Sequence, residues 1–211
     1  VLGCAKCDLK TDRQADGTKK KGWLGTMKAF RSVPHFDKVD KPAIEAQFFD
    51  ERRHRASLRL PFFGRGSGKT LCVIGQNPSA ADEQNADMTV RYLEELIYRT
   101  RPEYKDLLVL NLYSRVDTSK LESASLLDSR CAKIFDDAIK EHQEFLLVYG
   151  KLRNERAYKF PARAGEVSLA LKGKNVLKLD LSTSYPPHPG NPKILYSNYN
   201  VCLVPLQSDD S

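Results

Sequence analysis

Short apolar runs recur along the chain at 71–74, 107–110 and 145–149, each too brief for a helix and each bounded by polar residues. Runs of this kind are expected of strands buried on both faces. A fourth strand is predicted over 176–181, and the partial alternation of 57–63 predicts another ahead of the set. Between these runs the spacing changes to the helical period. Val90, Leu93 and Ile97 share one face of a helix beginning near Asp87, whose carboxylate suits the N-cap. Cys131, Phe135, Ala138 and His142 line a second helix capped by Asp128, and 152–171 reads as a third. Pro42 opens a predicted helix over 41–54, with Ile44, Phe48 and Phe49 on one side. Residues 194–197 and 201–205 predict a terminal hairpin.

Strands alternating with helices predict an α/β fold, a three-layer sandwich with a mostly parallel central sheet flanked by helices. Residues 41–211 form the predicted single domain. Residues 1–40, rich in Lys, Gly, Asp and Thr, read as a basic N-terminal arm. Open sheets place ligand sites beyond the carboxyl ends of their strands, which directs attention to 75–79, 111–118, 150–151 and 182–191.

Charge sharpens the picture. Of the net +7, the whole excess lies in residues 1–70, with 16 Lys and Arg against 8 Asp and Glu; residues 71–211 hold 18 against 19. That asymmetry fits a footprint for nucleic acid, and equally a solvated basic segment. No apolar stretch is long enough to span a membrane, and the first residues lack the pattern of a signal peptide, so a cytoplasmic monomer is expected. The five cysteines do not form a disulfide framework in a chain this long. Cys4 and Cys7 make one CxxC pair, which His35 or His54 would have to complete into a metal site; a reduced terminus without metal is the simpler expectation.

The segment 64–70 imitates a phosphate-binding loop, but the position that must hold the first glycine is Phe63, and the stretch precedes a strand instead of following it. The turn Gly75-Gln76-Asn77-Pro78-Ser79 is the stronger signal. Gly75 frees the backbone at a strand exit, Asn77 both donates and accepts, Pro78 fixes the turn, and Ser79 can face an anion. An ordinary strand-to-helix connection is the alternative. Asp82 and Asp87 follow as general bases or caps, the cap being the better reading for an Asp before a helix. His188, held between Pro187 and Pro189, suits anion stabilisation or acid–base work, with an exposed surface histidine as the competing reading.

From 55 to 197 the chain resembles a family of bacterial and phage proteins known as a domain of unknown function. The resemblance is carried by Asn77-Pro78-Ser79 with Ala81-Asp82, Asp87-Met88-Thr89-Val90-Arg91, Asn111-Leu112-Tyr113-Ser114-Arg115 with Thr118, Tyr149-Gly150, and His188-Pro189 with Leu195-Tyr196. Two pieces also resemble the uracil-DNA glycosylase superfamily. Gly75-Gln76-Asn77-Pro78 is similar to its Gly-x-Asn-Pro turn, and His188-Pro189-Gly190 to its His-Pro-Ser loop, with Gly190 in place of Ser. The resemblance implies a DNA glycosylase that flips a base and leaves an abasic site, with no cofactor. Asn77 would hold the attacking water, His188 would stabilise the departing base, and Asp82 would serve as base or orienter. Gly75, Gln76, Asn111 and Tyr113 would form the base pocket, with Tyr113 stacking on the base. Pro78, Ser79, Arg91, Arg115, Pro189, Gly190, Asn191 and Lys193 would meet DNA. Anti-phage enzymes of this broad type excise bulky modified bases such as glucosylated hydroxymethylcytosine, and phage or modified DNA is the expected partner. Uracil itself fits less well, since no uracil-reading Asn is evident in the matching loop.

Two other functions compete. A hydrolase or transferase of nucleotides or nucleotide sugars would use the 75–79 turn as a phosphate cradle, and a non-catalytic nucleic-acid-binding module would use the basic first third.

Overall fold

The computed structural model describes residues 32–117 and 125–206. A 3-10 turn at Lys41–Ala43 precedes β1 (Glu45–Phe49), β2 (His54–Pro61) and β3 (Lys69–Gly75). There follow α1 (Met88–Thr100), β4 (Tyr104–Asn111), α2 (Ser129–Glu141), β5 (Glu144–Leu147), the short strands β6 (Asn154–Glu155) and β7 (Tyr158–Lys159), and α3 (Phe160–Ala170). The chain continues with β8 (Asn175–Leu179), the single-turn α4 (Pro192–Leu195) and β9 (Leu203–Pro205).

The seven-stranded sheet has the order β1-β2-β4-β3-β5-β8-β9. The four strands β4, β3, β5 and β8 run parallel, whereas β1, β2 and β9 join antiparallel at the edges. The sheet is therefore mixed, and the expected parallel sheet is its centre. Direction reverses after the first crossover: α1 leads from β3 to β4, and α2 then leads back past β3 to β5. Right-handed crossovers put helices on opposite faces when direction reverses. The side chains agree. Leu71 and Val73 of β3 pack with Val90, Leu93, Leu96 and Ile97 of α1, whereas Cys72 and Ile74 pack with Phe135 and Ile139 of α2 and Val167 of α3. The three layers follow from the period-2 alternation of a strand buried on both sides.

Several expectations are corrected. Residues 45–49 are a strand, not part of a helix over 41–54. A bulge between Gln47 and Phe48 interrupts the alternation and leaves Phe48 and Phe49 both half-buried, which mimics helical spacing. The helix expected over 152–171 is confined to α3, preceded by the β6–β7 hairpin. Residues 194–197 are not a strand: Pro192 opens α4 there, and β9 pairs with β8. The caps hold as expected, with Asp87 accepting from the Val90 N–H and Asp128 from the N–H groups of Arg130 and Cys131.

Residues 1–31 of the expected arm, including Cys4 and Cys7, lie outside the described residues. Residues 33–40 are packed on the domain. Val33 exchanges backbone hydrogen bonds with Ala86, and Phe36 and Val39 are buried. His35 is bonded through Nδ1 to the buried Glu94 of α1 and through Nε2 to the Asp82 carbonyl. Among the described residues no helix is long and apolar enough to cross a membrane.

Candidate functional site

The parallel strands place the reversal point between β3 and β5, where the chain leaves in opposite directions and opens a crevice at the carboxyl ends. A cavity of about 550 Å³ lies at this end of the sheet. Its apolar wall is Val73, Val109 and Val148 from the strands or their exits, with Val90 and Leu93 from α1. Polar groups converge on it from the strand exits: Gln76, Asn77 and Ser79 after β3, Asn111 and Asp117 at and after β4, and Tyr149, Gly150 and Lys151 after β5. Asp87, Thr89, Arg55 and His188 complete it. A concave, largely apolar pocket with a few fixed polar groups is the usual form of a small-molecule or cofactor site.

Two glycines make the convergence possible. A side chain at Gly75 would place its Cβ 2.8 Å from Asn111 Nδ2, so only glycine lets the Asn111 amide lie across the strand exit. Gly150 has φ +72°, and a Cβ there would stand 3.1 Å from His188 Cβ. Its N–H donates to the Pro186 carbonyl at 2.9 Å. The proline-rich loop is thereby seated directly on the end of β5, which brings His188 into the cavity wall.

The polar groups have fixed polarity. Gln76 Nε2 donates to the Tyr149 carbonyl at 2.7 Å, tying the exits of β3 and β5. Asn77 Nδ2 donates to the Asp117 carbonyl at 3.2 Å, and Asn77 Oδ1 is buried with no hydrogen-bond partner. The amide's orientation is thereby fixed, and a buried acceptor left unpaired is costly unless a ligand or water donates to it. The Asp117 carboxylate accepts from the Tyr158 hydroxyl at 3.1 Å, and burial first, then this carboxylate, holds the Tyr158 phenol well above its ordinary range. At His188 the Gly190 N–H donates to Nδ1 at 2.9 Å, so a neutral ring carries its proton on Nε2. The ring also explains Gly190, where a Cβ would meet Nδ1 at 3.0 Å.

The structure thus brings together Gly75, Gln76, Asn77, Ser79, Asn111 and His188. Asp82 does not line the cavity. Its carboxylate accepts from the N–H groups of Gln84 and Asn85 and pairs with Arg52, while its carbonyl holds His35. Tyr113 does not line it either: its ring packs edge-on against Tyr158 and Phe160, and its hydroxyl accepts from the Lys159 N–H. Arg91 pairs with Glu95 and lies over Phe36, and Arg115 pairs through its backbone beside His54. Pro78, Pro189, Gly190, Asn191 and Lys193 flank the site without lining it, and Asn191 caps α4 by accepting from the Lys193 N–H. The two histidines considered for a metal site are engaged elsewhere, His35 with Glu94 and His54 with Ser114 Oγ. The Gly64–Gly68 stretch precedes β3 and so lies at the opposite end of the sheet.

Arg55, Thr89 and Asp117 also line the cavity; Thr89 lay within the 87–91 motif and Asp117 within the 111–118 strand exit, whereas no motif marked Arg55. Arg55 is buried on β2 and donates to the Ala81 carbonyl and to Asn111 Oδ1, each at 3.1 Å. Burial lowers its pKa to about 10, against the pull of Asp87 and Asp82. Asp87, expected as a cap, is both cap and cavity wall.

No curated protein and no solved structure matches the chain. The family described as "Protein of unknown function (DUF1643)" matches residues 60–190, a span that opens on β2 and closes on the His188 loop, so every strand exit of the cavity lies within it. That span covers more than half of the 211 residues, and the chain belongs to the DUF1643 family.

Proposed function

We propose that this protein is a DNA glycosylase, hydrolysing the N-glycosidic bond of a base flipped out of DNA to leave an abasic site. One observation carries the reading. Asn77 and His188, from opposite ends of the chain's motif set, line a single cavity at the sheet's reversal point. N-glycoside hydrolysis needs a positioned water and help for the charge that develops on the departing base. Asn77 Oδ1, fixed as an acceptor, suits a water hydrogen. His188, whose Nδ1 accepts from the Gly190 N–H, lines the cavity in which a departing base would sit. Asp87 replaces Asp82 as the carboxylate of the site, since Asp87 lines the cavity and Asp82 is committed to its turn. The resemblance of both motifs to those of the uracil-DNA glycosylase superfamily supports the same chemistry. A cavity of about 550 Å³ falls in the range that takes drug-sized ligands and leaves room for a substituted base.

The test incubates the protein with unmodified DNA and with phage DNAs carrying modified bases, and measures released bases by mass spectrometry. Release from at least one DNA is expected, together with alkali-labile abasic sites. Asn77→Ala lowers the single-turnover rate by about 100-fold or more. Silence across all DNAs, turnover of free mononucleotides alone, or full release by Asn77→Ala refutes the proposal.

A further inference from the structure

Arg55 belongs to no motif, yet it places a guanidinium inside the cavity wall. It is 3% exposed. Its two bonded nitrogens face neutral acceptors, the Ala81 carbonyl and Asn111 Oδ1, and its Nε–H has no partner. Asp82 and Asp87 act on it through space but neither is hydrogen-bonded to it. A buried cation without a bonded counter-charge is a costly arrangement that an anionic ligand relieves. The amino end of α1 lines the same cavity through Thr89 and Val90, but its preference for negative charge is already met by the Asp87 cap.

We infer that Arg55 is the anion-binding element of the cavity, set to meet a ring-carbonyl oxygen on which negative charge rests or develops. This deepens the base-excision reading and takes its ligand from it. In that reaction the C1′–N bond breaks and its electron pair departs with the base. The resulting anion is shared between the ring nitrogen and a carbonyl oxygen, water supplies its oxygen to C1′, and the water's proton ends on the base. The substrate class is thus a base bearing a ring carbonyl that can hold the charge. Arg55 meets that oxygen directly, while Asn77 of the same cavity is left to accept from water.

Binding of free bases tests this without requiring turnover. The probes are 5-fluorouracil, which ionises in the accessible range, and uracil, which stays neutral there. Affinities are measured by calorimetry from about pH 6.5 to about pH 9, a range over which the guanidinium stays charged. The other titratable groups of the cavity cannot produce a gain with pH. No group gains positive charge as pH rises, which removes His188, Lys151 and Tyr149 of the wall, and the carboxylates of Asp87 and Asp117 in the wall, like that of Asp82 outside it, repel an anion. The wild type is expected to bind 5-fluorouracil about tenfold or more tightly at the upper end, with uracil unchanged. Arg55→Lys keeps part of that gain and Arg55→Gln loses it, folding being checked by the amide spectrum. A flat or falling profile in the wild type, no binding of 5-fluorouracil at any pH, or an undiminished gain in Arg55→Gln overturns the inference. The two readings fail separately. An Arg55-dependent gain with no base released from any DNA removes base excision and leaves the anion site. Base release with a flat profile does the reverse.

Discussion

Replacing Gly150 with Ala tests how the cavity is assembled. Gly150 holds φ +72°, and an added Cβ lies 3.1 Å from His188 Cβ, closer than ordinary contact by a few tenths of an ångström. Gly173 supplies the matched control, with φ +84° and nothing within 4 Å of its ideal Cβ. Both substitutions force an L-residue into the left-handed region, at about 1–2 kcal/mol, partly offset by about 0.4–1 kcal/mol of lost freedom in the unfolded chain. Only Gly150→Ala also pushes the His188 loop off its seat and stretches the 2.9 Å bond from the Gly150 N–H to the Pro186 carbonyl, adding about 0.5–1.5 kcal/mol. In urea unfolding Gly173→Ala is expected to lose about 1 kcal/mol and Gly150→Ala about 2 kcal/mol. Function separates them further. On the proposed base-excision reading, a misplacement of a fraction of an ångström at His188 is expected to lower base release by about 10- to 100-fold in Gly150→Ala and to leave it unchanged in Gly173→Ala. The His188 imidazole proton resonances report the displacement directly. Equal destabilisation of the two variants, with an unmoved His188 signal in both, refutes the idea that the loop is seated on Gly150.

Three further outcomes are expected. Burial pulls the His35 pKa down, but the hydrogen bond and charge of Glu94 outweigh it and raise the value above the ordinary one, so the stabilisation is complete below about pH 6.5 and lost as pH rises through the folded value. The urea stability of the wild type relative to His35→Gln should therefore narrow from about pH 6.5 to about pH 8.5, and a widening gap contradicts the sign. At the β1–β2 turn, Asp50, Glu51 and Arg52 all have positive φ, 53°, 52° and 64°, so Glu51→Gly should stabilise by about 0.5–1 kcal/mol, read as a rise in the urea midpoint; a fall shows the turn to be unstrained. Tyr158→Phe removes the hydroxyl that donates to Asp117 while keeping the ring stacked on Phe160, and should cost about 1–2 kcal/mol in thermal unfolding; a neutral effect shows that the Asp117 carboxylate does not depend on this donor.

The centre of the sheet was legible because strands buried on both faces leave uninterrupted apolar runs. Leu71 to Ile74 and Leu107 to Leu110 gave no other reading. The edges were obscured for local reasons: the β1 bulge erased the alternation that marks a strand, and Pro192 turned an apolar segment into a single helical turn. In the site, Asn77 and His188 stood out because glycine and proline flank them, and those residues signal a constrained backbone. Arg55 did not, because nothing in the sequence around a β2 arginine distinguishes a buried guanidinium from the exposed ones at Arg52 and Arg53. Its partners, Ala81 and Asn111, come from β-strand exits that meet only in three dimensions. Asp82 and Tyr113 misled for the complementary reason: residue type and position suited chemistry, but a turn and an aromatic stack claim them.

Asp117 faces two ways. Its carbonyl receives the amide that orients Asn77, and its carboxylate receives the hydroxyl of Tyr158, whose ring belongs to the aromatic packing under α3 on the far side of the sheet. The cavity and the second core thus share a single hinge-pin. Occupying the pocket should slow solvent exchange of amides around Tyr158 and Phe160, and loosening that aromatic packing should blur the aim of a side chain it never touches.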